Sequence, residues 1–275
     1  MIMQTLTPEL KLKFVYGPVS SWRLGKSLGI DPISRPEKTC NMDCVYCQLG
    51  KTKKLSNERC YYVPTNEILY EACLVPDTDI DHITFSGRGE PTLARNLGDM
   101  IRGLRSLRGE KIAVITNSTL IHLPDVQKDL SLCDVVLAKC DVPDHSSFSK
   151  INKVHSGIYF KQVVDGLTSF RRKFRGKLAV QVMFVKHNKD RARDIANILR
   201  VIRPDEVHLN TPLRPSGILP LSENELKDVE LHFEGLDVLN VYEEERKFVE
   251  PINIPETIKR HGNYKKELVP AVRRS

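Results

Sequence analysis

The sequence has little that would divide the chain or place it in a membrane. It lacks a Pro- or Gly-rich linker and a low-complexity segment. Its first residues lack the basic, apolar and small-residue pattern of a secretory leader, and no run reaches the roughly 18 apolar residues of a membrane span. We therefore expect a cytoplasmic protein with no membrane partner. The 275 residues, 40% of them hydrophobic and 28% charged, suit one large domain such as an α/β barrel.

The cysteines do not form a disulfide framework, because seven is an odd count with one tight group. In TCNMDCVYCQLG, three thiols lie at Cys40, Cys44 and Cys47. No partner CxxC or HxxxH occurs elsewhere, so a structural zinc ion would lack a fourth ligand. A [4Fe–4S] cluster can instead take three cysteines and leave one iron open to another ligand. We interpret the four scattered cysteines (Cys60, Cys73, Cys133 and Cys140) as core thiols.

The formal charge of +7 is a weak indication of a partner. Lysine and arginine side chains gathered on one face would favour RNA or another phosphate-rich molecule, because they displace the counterions of phosphates. Many basic proteins bind no nucleic acid, so charge alone leaves this choice open.

From about residue 80, short β-branched runs alternate with amphipathic stretches, which is typical of βα units around a parallel sheet. We predict six strands, near residues 27–33, 82–86, 111–116, 135–139, 178–185 and 206–210. Helices are predicted at 66–73, 94–107, 158–174 and 190–202. The fold class is therefore α/β, a partial (β/α)6 barrel of the TIM type with short extensions at both ends. We assign residues 1–235 to this barrel and 236–275 to a C-terminal extension.

The strand ends carry the candidate site residues. Right-handed crossovers place the carboxyl ends of all parallel strands at one rim, where barrel active sites lie. Polar and glycine residues follow four of the predicted strands at Ser86–Glu90, Thr116–Asn117, Lys139–Asp141 and Asn210–Thr211. Loops are polar in most proteins, so this clustering supports a site without naming its chemistry.

Two motifs now make a specific resemblance. CxxxCxxC with an aromatic residue, Tyr46, before the third cysteine resembles the signature of the radical SAM superfamily. FSGRGEPTL at residues 85–93 is similar to the GGEP motif of that superfamily. The resemblance implies that S-adenosylmethionine (SAM) chelates the open iron, that Tyr46 packs near the adenine, and that Gly87, Gly89 and Glu90 serve the methionine side, with Glu90 acting as an acceptor or by fixing the loop.

Longer phrases resemble one branch of the superfamily, the Fe–S oxidoreductases related to the wyosine-base synthases of tRNA. They include YGPVSSWRLGKSLGID, VLAKCDVPDHSSFSKINKVH and HLNTPLRPSG, and with the others they span roughly residues 15–220. This resemblance implies further residues on the SAM side of the site: Asn117, Lys139, Asp141, Gln181 and Asn210. The alternative interpretation of Lys139 and Asp141 is an ordinary ion pair. The segment from residue 254 onward resembles the opening of a winged-helix-like region, cut short.

The resemblance implies an enzyme that cleaves SAM reductively at the cluster and abstracts hydrogen from a substrate with the resulting 5′-deoxyadenosyl radical. A one-electron donor of the ferredoxin or flavodoxin type is implied as a partner. Arg88, Arg214 and the basic tail are candidate phosphate contacts, or simply solvated charge. The substrate could be RNA, a partner protein or a small metabolite. A different reading is a non-catalytic, metal-stabilised nucleic-acid-binding module, which the missing fourth metal ligand disfavours.

Overall fold

One curled sheet of eight strands organises the protein in the computed structural model, which describes residues 11–77 and 79–261. The strand order is β1-β2-β5-β6-β7-β8-β9-β10, and every neighbouring pair is parallel except β1 and β2. Strands β3 and β4 form a separate small ladder. The bounds are Val15–Ser21 (β1), Gly25–Ile30 (β2), Thr39–Cys40 (β3), Lys54–Leu55 (β4), His82–Phe85 (β5), Lys111–Thr116 (β6), Val135–Lys139 (β7), Lys177–Met183 (β8), Glu206–Asn210 (β9) and Val238–Asn240 (β10).

The helices cover one face of this sheet with apolar stripes. In the second helix, Leu97, Met100, Ile101 and Leu104 recur at helical spacing and are all buried. The strands are buried over most of their length because the barrel interior covers their other face. The helices are Thr65–Leu74 (α1), Leu97–Leu107 (α2), Pro124–Leu130 (α3), His145–Ser147 (α4), Phe160–Lys173 (α5), Ala192–Ile202 (α6), Glu223–Glu230 (α7) and Ile254–His261 (α8), with short 3₁₀ or π turns at Pro91–Leu93, Phe148–Asn152, Lys189–Arg191 and Leu231–Phe233.

This architecture confirms the predicted partial barrel. All six predicted strands are present, and they correspond to β2 and β5 to β9. Two further strands extend the sheet. Strand β1 folds back on β2 as an antiparallel edge strand, and β10 adds to the other edge beside β9.

The C-terminal part of the described chain lies against both edges of the barrel. Strand β10 belongs to the sheet, and α8 packs against β1. The remainder of the segment that resembles a winged-helix opening, including the basic tail, falls in residues 262–275 and therefore outside the described residues. Within the described ranges, no helix is long and apolar enough to cross a membrane.

The scattered cysteines are core thiols only in part. Cys133 and Cys140 are buried as predicted. The prediction is wrong for Cys73, which is exposed, and only partly right for Cys60, which is half-buried. The reason at Cys73 is helical phase, because α1 turns Ile68 and Ala72 inward and leaves Cys73 on its solvent face.

Candidate active site

The cysteine loop leaves β3 in two successive tight turns. The amide of Cys47 donates to the carbonyl of Cys44 at 3.0 Å, and the amide of Gly50 donates to the carbonyl of Cys47 at 3.0 Å. The loop is anchored to the turn after α4, since the amide of Val45 donates to the carbonyl of Ile151 at 2.9 Å. These backbone bonds fix the path of the chain that carries the three thiols.

Each of the three thiols has one nitrogen donor beside it. The Nδ2 atom of Asn117 lies 3.6 Å from the sulfur of Cys40. The Nδ2 atom of Asn152 lies 3.5 Å from the sulfur of Cys44. The ammonium of the buried Lys38 lies 3.1 Å from the sulfur of Cys47. The donors come from three different parts of the chain, and hydrogen bonds to ligand sulfurs of this kind tune iron–sulfur centres.

The chemistry of this donor set fits an iron–sulfur cluster. Burial raises the pKa of the Cys40 thiol to about 12 and also raises the pKa of Cys44. Buried thiolates therefore need positive charge and hydrogen-bond donors beside them. A metal centre would supply the charge, and Lys38, Asn117 and Asn152 supply the donors. In residues 11–77 and 79–261, no three His, Cys, Asp or Glu side chains are arranged to share a single metal ion. An iron–sulfur cluster does not require three side chains to converge on one ion, because each cysteine binds its own iron.

The glycines of the SGRGEP loop allow it to lie directly against the cysteine strand. A Cβ atom on Gly89 would lie 1.9 Å from the carbonyl oxygen of Thr39. Gly87 has a φ of +125°, and a Cβ atom there would lie 2.5 Å from Cγ of Asp31. A larger residue would collide with the Thr39 backbone at position 89, and at position 87 it would be strained by the positive φ and would displace the Asp31 side chain. The two glycines therefore let the loop pack against Thr39 and Asp31, and the approach of their backbone to SAM stays a prediction.

Glu90 lies behind this loop and holds it in place. Its side chain is 2% exposed. The carboxylate accepts hydrogen bonds from the amide and hydroxyl of Thr92, the hydroxyl of Thr116 and the amide of Asn117, at 2.6 to 3.1 Å. Burial nevertheless raises the pKa of the Glu90 carboxyl. These bonds tie the loop to the end of β6, so the geometry favours the loop-fixing role over direct contact with SAM.

We predict that Glu90→Gln mainly destabilises the fold. The side-chain amide nitrogen of the glutamine would face donors whose hydrogen bonds the Glu90 carboxylate now accepts. The loss of these hydrogen bonds should lower the free energy of unfolding by about 1–3 kcal/mol. SAM affinity should fall less than about tenfold, because the carboxylate does not line the cavity. Denaturant unfolding and calorimetry of the reconstituted protein measure the two effects, with the exposed Glu58→Gln as the matched control. Unchanged stability with a larger loss of SAM affinity would instead place Glu90 on the cofactor.

Tyr46, Lys139 and Asp141 form one buried network with Asn152. The Tyr46 hydroxyl donates to Asp141 and accepts from the Lys139 ammonium at 2.9 Å. Lys139 lies 3.3 Å from the Asp141 carboxylate and 4.4 Å from the centre of the Tyr46 ring. Burial and the neighbouring Asp141 raise the pKa of Tyr46 well above its usual value. Lys139 and Asp141 are thus an ion pair, as the alternative reading holds, and the pair also holds Tyr46 in place.

A cavity of about 310 Å³ opens between the cysteine loop and the strand ends. Seven of the predicted residues line it: Tyr46, Cys47, Gly87, Gly89, Lys139, Gln181 and Asn210. The other five do not line it: Cys40, Cys44, Glu90, Asn117 and Asp141.

Sequence reasoning missed several residues around this site. Lys38 and Asn152 stand beside cysteine sulfurs, and Asp31 supports the Gly87 loop. Asp31 also pairs with Arg260 from α8 at 2.8 Å, and both side chains are fully buried. The sequence did contain a signal for two of these residues, because Lys38 lies two residues before Cys40 and Asn152 lies within one of the segments that resemble the family, at SKINKVH. Nothing in the sequence indicated that Asp31 pairs with Arg260.

Comparisons with known proteins agree with this geometry. The family model of the radical SAM superfamily matches residues 36–201. A UPF0026 protein of Synechocystis sp. is 42% identical over 205 residues, which cover 74% of this chain and 77% of that protein.

Two solved structures share the fold. Streptococcus suis SuiB bound to S-adenosylmethionine has a TM-score of 0.55 at 14% identity, over 74% of this chain and 48% of SuiB, so this chain spans about half the length of SuiB. An archaeal TYW1, a wyosine synthase, has a TM-score of 0.54 at 14% identity, over 77% of this chain and 72% of that one.

The family model covers more than half of the chain and includes all three loop cysteines. Members of this superfamily use an iron–sulfur cluster and SAM, need an electron donor, and act as enzymes. The prediction of an enzyme is therefore confirmed, and the reading as a non-catalytic binding module is not supported. This chain belongs to the radical SAM superfamily.

Proposed function

We propose that the protein binds a [4Fe–4S] cluster through Cys40, Cys44 and Cys47 and cleaves SAM reductively for hydrogen abstraction from a substrate. The observation that carries this proposal is the placement of one nitrogen donor at each of the three sulfurs, 3.1 to 3.6 Å away. Three coincidental thiols would not each need such a donor. When bound, the cluster and SAM together supply the electron transfer and the 5′-deoxyadenosyl radical.

The residues of this chain then have distinct tasks. The three thiolates bind the cluster, and Lys38, Asn117 and Asn152 donate to them. Gly87 and Gly89 let the loop backbone approach the methionine part of SAM, while the Tyr46 ring offers a face to the adenine. Lys139, Gln181 and Asn210 are proposed polar contacts on the cavity wall. Glu90 and Asp141 position these groups without lining the cavity.

The partner that reduces the cluster is proposed to be a one-electron donor of the ferredoxin or flavodoxin type. The experiment is anaerobic reconstitution with iron and sulfide, followed by addition of SAM and dithionite. The proposal predicts a brown protein that forms 5′-deoxyadenosine and methionine. A protein that takes up no cluster under these conditions, or that holds one and leaves SAM intact, would contradict it.

A further inference from the structure

Strand β4 exposes an apolar side chain next to the cysteine strand. It pairs in parallel with β3, and Leu55 is the partner of Cys40 in this ladder. The amide of Ser56 also donates to the carbonyl of Cys40 at 3.0 Å. Both residues of β4 are exposed, and Leu55 is 43% exposed. A solvent-facing leucine therefore lies one strand away from a proposed cluster ligand.

Exposed lysine side chains accompany the cysteine loop on two segments. Residues 47–57 carry three lysines and no carboxylate, and residues 149–157 carry two lysines and no carboxylate. Asp43 joins the two segments, because its amide donates to the carbonyl of Lys153 at 3.2 Å and its carboxylate accepts from the amide of Thr52 at 2.6 Å. We call Leu55 and the five exposed lysines the loop patch: Lys51, Lys53, Lys54, Lys150 and Lys153.

The loop patch carries positive charge that the described residues do not pair. None of its five ammonium groups forms an ion pair or a hydrogen bond with another described residue. Between residues 37 and 58 the exposed carboxylates are Glu37 and Glu58, so the five lysines outnumber them. Several exposed charges of one sign around one loop attract a partner of the opposite charge and raise the rate at which the two meet.

The position of the loop patch favours a protein that delivers electrons over an RNA substrate. The reacting part of a substrate has to enter the cavity, and the described residues that line the cavity include none of the five lysines. A one-electron donor has only to come close to the sulfur ligands, and Leu55 lies beside Cys40 in the ladder. A leucine next to lysines also suits a protein–protein interface, which combines an apolar centre with a polar rim.

We infer that the loop patch is the docking surface for a small acidic electron-carrier protein that reduces the cluster. The inference rests on the proposed function and deepens it, because it locates where the electron enters. One electron passes from the reduced carrier to the cluster. The carrier is oxidised and the cluster is reduced by one electron, and no covalent bond is broken and no proton is transferred in this step.

The test uses the anaerobically reconstituted protein and two probes, a ferredoxin and a flavodoxin that each have a strong net negative charge. Calorimetry measures their binding, and 5′-deoxyadenosine formation with the reduced carriers measures the delivery of electrons. We expect at least one carrier to bind wild-type protein at low salt and to bind more weakly as salt is added, because salt screens exposed charges. A short RNA oligonucleotide is a separate binding arm.

Reversal of three charges in the loop patch should weaken carrier binding about ten- to a hundredfold at low salt and slow carrier-driven SAM cleavage to a similar extent. This variant combines Lys51→Glu, Lys53→Glu and Lys54→Glu. The corresponding triple glutamine variant should lie between it and the wild type, because it removes the charges without reversing them. Cluster iron and SAM cleavage with excess dithionite should be unchanged in both variants, since the three lysines lie outside the cavity wall.

The matched control reverses three exposed charges elsewhere, with Lys128→Glu, Arg172→Glu and Lys173→Glu. These residues lie on α3 and at the end of α5, and each helix ends shortly before a strand of the sheet begins. They therefore lie near the amino ends of the strands, whereas the SGRGEP loop that contacts the cysteine strand follows the carboxyl end of β5. Carrier binding and carrier-driven SAM cleavage by this control should match the wild type.

Four results would overturn the inference. One is wild-type protein that cleaves SAM with dithionite but binds neither carrier, and another is a loop-patch variant that binds and accepts electrons as well as the wild type. The third is an equal loss in the control variant, since net charge would then be the cause. The fourth is RNA that binds wild-type protein more tightly than either carrier and loses that binding in the loop-patch variant. Wild-type protein that never cleaves SAM with dithionite would instead contradict the proposed function.

Discussion

Replacement of Cys40, Cys44 or Cys47 by alanine is expected to remove most of the cluster iron and all SAM cleavage. The loop supplies three thiolates, and in the described part of the chain no three His, Cys, Asp or Glu side chains are arranged to hold one metal ion in their place. A three-ligand site has no spare thiolate, so each single loss should be close to complete. Iron and sulfide assays of the reconstituted variants, together with 5′-deoxyadenosine formation, measure the effect.

Cys73→Ala is the matched control for this series. It removes the same atoms from an exposed position on α1, away from the loop. Iron content and SAM cleavage should match the wild type, and the same is expected for Cys60→Ala and Cys133→Ala. A full cluster in any loop variant, or a lost cluster in a scattered one, would show that the ligands are assigned wrongly.

The second large effect is expected at Asp31, in the fully buried ion pair with Arg260. Asp31→Ala should lower the free energy of unfolding by about 3 kcal/mol, because it removes the fully buried partner of the guanidinium and leaves only the partly exposed Glu256 to pair with it. The same carboxylate accepts from the amides of Ser34 and Arg88 at 2.9 and 3.2 Å, so the loss should extend to the Gly87 loop. Chemical denaturation measures the change.

An exposed ion pair provides the comparison. Asp165 pairs with Lys161 on the surface of α5, where the two side chains are 61% and 83% exposed. Asp165→Ala should therefore change stability by about 0.5 kcal/mol or less. If Asp31→Ala cost no more than this control, the ion pair would not be what holds α8 and the Gly87 loop against the barrel.

The sequence predicted the barrel well because its strands are short and rich in β-branched residues. Two misses have local causes. Gly17 and Pro18 interrupt β1, which has an irregular register there, and β10 is only three residues long. One missed helix had a readable signal, since Ser222 and Glu225 form a capping box at the start of α7.

The site was predictable where its residues follow motifs and not where distant parts of the chain meet. The cysteines and Gly87, Gly89 and Glu90 are named by two short segments. Asn152 reaches Cys44 across 108 residues, and Arg260 reaches Asp31 across 229. No periodicity or spacing in one sequence encodes such contacts. The role favoured for Glu90 also depended on seeing that four donors already occupy its carboxylate.

Mössbauer spectroscopy of protein reconstituted with ⁵⁷Fe tests the three-cysteine cluster most directly. We predict the spectrum of a [4Fe–4S] cluster in which one iron subsite changes its parameters when SAM is added, because that iron has no cysteine ligand. A spectrum in which SAM leaves every iron unchanged, or one of a cluster type other than [4Fe–4S], would contradict the assignment of Cys40, Cys44 and Cys47 as the cluster ligands of a SAM-cleaving enzyme.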